Sequence, residues 1–481
     1  MFICISRVKI LLTVFSLFFV NIDLFAIPAR IIGRHALAND VLYTGVVEHI
    51  SPSPYMVIPF IMLLLLIATG PVFYKRFWEK YYSSISIALG LIVAVYYIFF
   101  LNNYSSFLHT LSQYISFIAL LSSLYTVSGC ILIKIDKKST PLLNVILLLI
   151  GAVSANIVGT IGASMLLIRP FIRINKNRIR PYHIIFFIFL VSNIGGILIP
   201  LGPPLFLGFL SGVPFFWVIS NVWYIWIFAV SVILTAFYFF DVKNSKHDES
   251  YPVKNYSGRI QIKGYKNLFF LFIIISAVFI DPAFFSWVPD LSPFPFGPRE
   301  LIMFAVIYLS YGYADKNILK DNEFDFEPVK EISYLFFGIF LSMVPALQMI
   351  SSEAHTLGNK ISAGLFYWAS GMLSAALDNT PTYMNFFSAA MGKYGLDMNN
   401  KTNVFEFVNT GGIYLKAISV ASVIFGAATY IGNGPNFIVK SISERAGIEM
   451  PGFFAYIIKY SFMILVPVFV LIWLLFFYGR S

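Results

Sequence analysis

One run of residues combines an acidic side chain with amide and hydroxyl groups inside a long apolar segment. Asp378, Asn379 and Thr380 lie near the centre of residues 361–391, where a carboxylate is costly to bury. Carboxylate, amide and hydroxyl oxygens suit a hard cation such as Na⁺, and a carboxylate can also take a proton. Asp378 is therefore the leading candidate for a cation site, and its alternative role is to cap the following helix.

Two further groups of polar residues are candidates for the same site. Asn433 and Asn436, with Thr429 nearby, lie in a glycine-rich apolar run and are expected to face Asp378. An equivalent but uncharged set lies in the first half of the chain and comprises Asn156, Thr160 and Asn193. Because that set offers only neutral oxygens, the sequence predicts a weaker cation site there.

The segments that carry Asn156 and Asp378 are expected to be re-entrant hairpins. Residues 141–170 have basic clusters at both ends, so both ends are predicted to be cytoplasmic. A segment that enters the bilayer and turns back satisfies this rule, and the small and polar residues at its centre allow the turn. Residues 361–391 are predicted to form a second hairpin that opens to the outside. The alternative for residues 141–170 is an ordinary packed helix rich in small residues.

Each hairpin is followed by an apolar span that contains several glycines and prolines. These spans, residues 182–210 and 413–439, are predicted to be discontinuous, because glycine lowers the cost of unwinding and proline removes a backbone donor. The expected hinge residues are Gly195, Gly196, Gly202, Pro203 and Pro204 in the first span and Gly426, Gly432 and Gly434 in the second.

The order of hairpin and broken span repeats in the two halves of the chain. Without gaps, Thr160 aligns with Thr380 in the hairpins, and Gly196 aligns with Gly426 in the broken spans. An odd number of crossings separates the copies, so the second copy is predicted to be inverted. In such an architecture a binding site forms near the midplane, between discontinuous helices.

Composition places the whole chain in a membrane. Of its 481 residues, 58% are hydrophobic and 12% are charged, which excludes a soluble core. We expect an all-α polytopic membrane protein with about eleven transmembrane segments arranged as two inverted repeats. The net charge of +10 lies in short loops, which indicates membrane orientation rather than nucleic-acid binding. Two cysteines exclude a disulfide framework and a cysteine-based metal site.

The predicted domain organisation begins with a secretory signal peptide at residues 1–29, where a basic patch, an apolar run and small residues follow one another. The alternative is an uncleaved first span. A signal peptide implies the inner membrane of a bacterium. The first transport repeat is placed at residues 55–240, a cytoplasmic linker at 241–266 and the second repeat at 267–478.

Several strings in the chain resemble the ion transporter superfamily, which includes sodium/proton antiporters, arsenite permeases and citrate and dicarboxylate transporters. These strings are Leu373-Ser-Ala-Ala-Leu-Asp-Asn-Thr-Pro381, Asn193-Ile-Gly-Gly196 and Thr429-Tyr-Ile-Gly-Asn-Gly-Pro-Asn436. Two others, Phe77-Trp-Glu-Lys80 and Pro298-Arg-Glu300, resemble the branch described as citrate transport or sodium:proton antiport. The chain departs from the superfamily at Val158-Gly159, where relatives often have Asp-Asn, so two charged cation sites are not expected.

The residues and the resemblance together predict secondary transport by alternating access. Sodium/proton antiport is preferred, because Na⁺ and H⁺ can compete for Asp378 and no Arg or Lys is expected within the spans to pair a multivalent anion. The alternative is cation-coupled symport of citrate or another small carboxylate, received by helix N-termini at Asn156 and Asn379.

An intramembrane enzyme is a hypothesis of another class. Against it stands the lack of a paired catalytic carboxylate or a metal set in the spans, and no nucleotide-binding motif occurs. No cofactor is expected beyond Na⁺ or H⁺ as the coupling ion. The expected partners are a small ion or carboxylate and the lipid bilayer, with no nucleic acid, and a homodimer is left open.

Overall fold

The described part of the chain forms helices and a two-stranded β-ribbon. The structure, a computed structural model, describes residues 52–245, 258–280, 294–357 and 361–480 and a few positions between 282 and 291. The predicted signal peptide lies outside the described residues. The helices of the first half are α1 (Ile58–Phe73), α2 (Lys75–Val95), α3 (Tyr104–Gly129), α4 (Pro141–Ile174), α5 (Pro181–Leu190), α6 (Pro203–Ser211) and α7 (Trp217–Ser245).

The second half continues with helices of similar kind. They are α8 (Asn267–Ala277), α9 (Pro298–Gly312), α10 (Lys316–Asp321), α11 (Glu327–Leu357), α12 (Ala363–Ala376), α13 (Asn379–Lys393), α14 (Lys401–Thr410), α15 (Gly412–Ile424), α16 (Gly434–Arg445) and α17 (Phe453–Phe476). The ribbon pairs β1 (Leu132–Ile135) with β2 (Ile260–Lys263) in antiparallel register, with Leu132 opposite Lys263.

The surface and the helix lengths match a bilayer. Six of the described helices are long and apolar enough to cross a membrane: Arg76–Phe100, Tyr104–Gly129, Pro141–Ile174, Trp217–Ser245, Glu327–Met349 and Phe453–Phe476. Large apolar side chains such as Leu65, Phe272 and Met463 are exposed on the outside, where lipid rather than water is the suitable neighbour. The chain is therefore an all-α multi-pass membrane protein, as its composition predicted.

Helix α4 is a hairpin, here called hairpin 1. As a straight helix its 34 residues would extend about 51 Å. Instead, Asn144 near its start and Asn175 just after its end exchange two amide hydrogen bonds, of 2.8 and 2.9 Å. The chain reverses at Gly159, whose φ of 69° lies in the left-handed region that favours glycine. The interrupted segment therefore folds back on itself, as predicted.

Helices α12 and α13 form the corresponding hairpin 2. Leu377 between them has extended backbone, so the first arm ends at Ala376 and the second begins at Asn379. At the open end, Lys393 Nζ donates to the carbonyl oxygen of Ile361 at 3.0 Å. The turn thus lies at the polar residues in the middle of the segment.

The two hairpins open in opposite directions along helix α7. Near the start of α7, Tyr224 accepts a hydrogen bond of 3.1 Å from Lys416, and Tyr414 in the same turn of α15 contacts Lys393 at the open end of hairpin 2. Near the end of α7, Asp241 accepts a hydrogen bond of 3.0 Å from the first arm of hairpin 1. The stretch from Tyr224 to Asp241 rises about 25 Å, so the open ends lie on opposite sides.

Two apolar spans are interrupted at corresponding places in the two halves of the chain. Between α5 and α6 the chain forms a 3₁₀ turn (Ile194–Ile197), and between α15 and α16 it forms another (Phe425–Ala428). We call residues 191–202 the first break and residues 425–433 the second break. Helices α5 and α6 extend only about 15 Å each, so neither could cross the bilayer alone. Hairpin and break follow in the same order in both halves, with opposite orientation.

Candidate functional site

The tip of hairpin 2 presents Asp378 to the N-termini of two helices. Its side chain accepts a hydrogen bond from the Thr380 amide at 3.0 Å, as the N-cap of α13. The carboxylate also faces the backbone amide of Gly434, the first residue of α16, and it is partly exposed. Helix N-termini stabilise negative charge. A carboxylate has about four acceptor sites, so these contacts leave oxygen lone pairs for a cation.

Asn379 packs the same tip against the second break. In the amide orientation that satisfies its surroundings, its nitrogen donates to the carbonyl oxygens of Gly432 at 2.8 Å and Ser422 at 2.9 Å. A side chain at Gly426 would overlap Asn379. The Thr429 hydroxyl donates to a carbonyl of the first arm at 2.6 Å and accepts from the Gly432 amide at 2.9 Å. Hairpin tip and break therefore form one packed unit.

The two breaks meet through three buried asparagine side chains. Asn193 Nδ2 donates to Asn436 Oδ1 at 2.7 Å, and Asn433 Nδ2 donates to Asn193 Oδ1 at 2.9 Å. Asn436 in turn donates to the carbonyl oxygens of Gly426 and Thr429, both at 2.8 Å. A relative movement of the two repeats at this point must break or exchange these bonds.

Hairpin 1 makes corresponding contacts with the first break, without a charge. Asn156 Oδ1 accepts from the Leu198 amide at 2.9 Å. Gly159 takes the position that aligns with Asn379, and a β-carbon there would lie 2.8 Å from the carbonyl oxygen of Leu201. A cavity of about 20 Å³ beside the tip, room for about one water molecule, is lined by residues that include Thr160 and Leu124.

Thr160 and Thr380 occupy aligned positions in the first turn of the second arm of each hairpin. Both hydroxyls are buried; that of Thr160 has no hydrogen-bond partner among the described residues, and that of Thr380 lies against the Asp378 carboxylate. Leaving a group such as the Thr160 hydroxyl unpaired costs about 1–3 kcal/mol. Thr160 is therefore suited to bind a ligand at the tip of hairpin 1.

The polar groups at the site are not those of a transition-metal centre. Within the ranges that the structure describes, no three His, Cys, Asp or Glu side chains converge. A cation at Asp378 would depend on one carboxylate together with hydroxyl, amide and backbone oxygens, which are ligands that hard cations prefer.

Three of the predicted site residues make contacts other than the expected ones. The side chains of Asn433 and Asn436 bond to Asn193, and the second break meets hairpin 2 through the backbone of Gly432 and Gly434 instead. Asn193 accordingly joins the second break rather than the hairpin 1 tip. The reason is that the two breaks lie against each other, so the amide side chains pair between them while backbone groups of Gly432 and Gly434 contact hairpin 2.

Arg169 is a buried basic residue that the sequence alone did not reveal as a candidate. It lies in the second arm of hairpin 1 and is 8% exposed. Its Nε and Nη1 have no hydrogen-bond partner in the part of the chain that the structure describes. Arg169 lies near the open end of the predicted hairpin, and the expectations from the sequence do not include it as a partner for an anion. The available signal was its place before Pro170, inside the predicted hairpin rather than in the basic flank.

A buried carboxylate with basic and aromatic partners lies at the open end of hairpin 1. Asp241 is fully buried, accepts a hydrogen bond of 2.7 Å from Tyr182 and pairs with Arg178. His183 Nε2 lies 3.1 Å from the same carboxylate, and its Nδ1 accepts from the Arg180 amide at 3.1 Å, which requires a neutral ring. One negative and one positive charge thus balance and hold hairpin 1 to α7.

Comparison with known families identifies this arrangement. Residues 49–477 match the family described as putative citrate transport, and the match includes both hairpins and both breaks. The chain belongs to this putative citrate transport family. Comparison with curated proteins gave no match.

Membership of the citrate transport family agrees with the resemblance of the sequence to the citrate-transporter branch of the ion transporter superfamily. The chain is a multi-pass membrane protein of a transporter family. Because the match spans both repeats, Asp378, the asparagine contact and Arg169 all lie within the region shared with the citrate transport family.

Proposed function

We propose that this protein is a secondary active transporter of the bacterial inner membrane, which works by alternating access with Asp378 binding the coupling cation. The position of Asp378 carries the proposal. It is a partly exposed carboxylate at a hairpin tip, it faces two helix N-termini, and the buried hydroxyl of Thr380 lies beside it. An ionisable residue in such a place is typical of ion pathways.

The arrangement of the repeats supports alternating access. Hairpin 1 and hairpin 2 open in opposite directions, and their tips approach a centre where the breaks are joined by Asn193, Asn433 and Asn436. Rearranging these few bonds allows one repeat to move against the other. Each hairpin then gates one side of the membrane.

Sodium/proton antiport is the exchange that the second hairpin tip supports most directly. A carboxylate binds either Na⁺ or H⁺, and competition between them at Asp378 couples the movement of one ion to the opposite movement of the other. The aligned position in hairpin 1 is Val158, which offers no second charge.

Cation-coupled uptake of citrate or another small carboxylate is the second candidate. Two observations favour it: the description of the family and the buried guanidinium group of Arg169. In that mode Asp378 binds the cation, and positive charge elsewhere in the protein holds the anion.

Replacing Asp378 by Asn tests the role that both candidates share. Asn caps a helix about as well as Asp, so we expect Asp378→Asn to fold and insert but to lose ion-coupled transport. Proteoliposomes with an internal pH probe measure sodium/proton exchange, and radiolabelled citrate with an imposed Na⁺ or H⁺ gradient measures uptake. The assay in which the wild type is active shows whether the protein exchanges Na⁺ for H⁺ or takes up citrate.

Asp397→Asn is the matched control, because Asp397 is an exposed carboxylate in the loop after hairpin 2. It should transport at the wild-type rate. Normal coupled transport by Asp378→Asn would reduce Asp378 to a helix cap and remove the proposed coupling site.

A further inference from the structure

Arg169 has a buried guanidinium group that no carboxylate contacts directly within the described residues. Neither its Nε nor its Nη1 donates a hydrogen bond within the described ranges, although the group offers five N–H donors. Burying an unpaired charge is strongly unfavourable. A guanidinium group in this state indicates an anion that comes from outside the chain.

Further positive charge lies close to Arg169. Arg445, in the last turn of α16, and Arg173, one turn further along hairpin 1, both act electrostatically on it. Helix α16 packs against hairpin 1 and so brings Arg445 to this place. Arg173 also donates to the backbone carbonyl of Asp321 at 2.7 Å. We call Arg169, Arg173 and Arg445 the arginine cluster.

The acidic residues around the arginine cluster do not neutralise it. Asp321 is bound to Lys134 at 2.8 Å, and this hydrogen bond holds the pKa of Asp321 below its usual value. Glu444 is paired at 2.5 Å with the lysine one turn before it. Glu323 acts on Arg169 electrostatically, but no ion pair joins them in the part of the chain described here. The cluster therefore keeps an excess of positive charge.

The arginine cluster is separate from the central site but connected to it by one helix. Helix α16 begins at Gly434, which faces Asp378, and ends at Arg445. Its 12 residues rise about 18 Å. The cluster therefore lies one helix length from the tip of hairpin 2, towards the open end of hairpin 1.

We propose that Arg169 and Arg445 form an anion-binding site, distinct from the central site, which takes a small carboxylate such as citrate. This inference rests on the second candidate function, carboxylate transport. Guanidinium groups bind carboxylates through two parallel hydrogen bonds, and two of them match an anion with several carboxylates. In uptake, a carboxylate bound there would have passed the centre and would lie near the basic loops, predicted to be cytoplasmic, before its release.

Binding rather than transport tests the site directly. Citrate is titrated by isothermal calorimetry into the purified full-length protein in nanodiscs of phosphatidylcholine, which carries no net charge. We expect Arg169→Gln to weaken citrate binding at least about tenfold. Lys176→Gln removes an exposed charge from the neighbouring loop and should bind as the wild type does. Equal affinity of Arg169→Gln and wild type, or no binding by the wild type, would overturn the proposal.

A phosphate headgroup could supply the same anionic chemistry, so the titrations are repeated in nanodiscs that contain phosphatidylglycerol. Thermal stabilisation of the wild type but not of Arg169→Gln by that lipid, without citrate binding in either disc, would assign the site to lipid and contradict the proposal. Because Nε and Nη1 of Arg169 donate no hydrogen bond within the described residues, Arg169→Gln should not lower the unfolding temperature. A lowered unfolding temperature would indicate a structural role instead.

The proposed anion site at Arg169 and the proposed coupling role of Asp378 can be disproved independently of each other. Weakened citrate binding in Arg169→Gln, combined with normal coupled transport in Asp378→Asn, would keep the anion site and remove the coupling proposal. The reverse pair of results would keep the coupling proposal and remove the anion site.

Discussion

At the residue scale, the contact between the two breaks depends on an asparagine whose side-chain oxygen and nitrogen both make hydrogen bonds. Asn193 donates to Asn436 and to the carbonyl oxygen of Ile188 at 2.8 Å, and it accepts from Asn433. Its oxygen and nitrogen have distinct partners, so no other residue type of similar size repeats the pattern.

We expect Asn193→Ala to destabilise the protein and to slow transport. Asn433 keeps the carbonyl oxygen of Ser192 as an acceptor at 3.0 Å, but Asn436 Oδ1 stays buried without its donor. The cost is about 1–3 kcal/mol, measured as a lowered unfolding temperature of the purified protein. Asn409→Ala is the control, since Asn409 is exposed on α14. Equal unfolding temperatures for the two variants would show that the asparagine contact contributes nothing.

Whether the sequence alone reveals a residue of the site depends on where its contacting residues lie in the chain. Asp378, Asn379 and Thr380 stand out because polar groups inside an apolar segment are unusual on their own. Asp241 and Arg169 do not stand out, because their environment is made by chain segments far away in sequence. For Asp241 these are residues of hairpin 1 and α5, more than fifty positions before it.

At the element scale, the two breaks are aligned in sequence but are not packed equally tightly. A β-carbon on Gly432 would lie 2.7 Å from the carbonyl oxygen of Gly426 and 2.9 Å from that of Ser374. At the aligned Gly202 the nearest atom would be 3.8 Å away, which is ordinary contact. The second break therefore requires glycine where the first does not.

This difference predicts opposite outcomes for two aligned substitutions. Gly432→Ala should separate the second break from hairpin 2, at a cost of about 1–3 kcal/mol or more, and should abolish transport. Gly202→Ala should change stability by less than about 1 kcal/mol and preserve transport. Thermal unfolding and transport in proteoliposomes measure both. Equal damage from the two variants would contradict the tighter packing of the second break.

The hairpins and breaks could be predicted at this scale, whereas the β-ribbon could not. Glycine, proline and asparagine inside apolar segments mark an interruption directly. Strands β1 and β2 have four residues each and pair across more than a hundred residues of chain, so neither carries a signal of its own. Helix α7 likewise continues to Ser245, because Asp241 is satisfied by Tyr182 and Arg178 and need not end the helix.

At the scale of the whole molecule, the basic loops and the contacts give the same opposite orientation of the hairpins. The loop charges predict that both ends of hairpin 1 are cytoplasmic. The contacts along α7 place the open end of hairpin 2 on the other side of the protein. Charge patterning could not predict the central asparagine contact, since it arises only when the two repeats pack together.

Cysteine labelling tests this orientation in the membrane. Cysteines replace Lys137 and Lys176, which are exposed beyond the two ends of hairpin 1, and Asn399, which is exposed after the second arm of hairpin 2. The background lacks Cys4 and Cys130, the two native cysteines. We expect a membrane-impermeant maleimide to label Asn399→Cys in intact spheroplasts, and to label Lys137→Cys and Lys176→Cys only in inverted vesicles.

The three labelled positions test two different features of the molecule. Lys137 and Lys176 lie on either side of hairpin 1, so their labelling from opposite sides would mean that residues 141–174 cross the membrane once. Asn399 compares the two repeats, so its labelling from the same side as the other two would contradict the inverted arrangement. Each variant must retain transport for its labelling to report the native topology. Alternating access between oppositely opening hairpins requires that the first pair share a side and that Asn399 lie on the other.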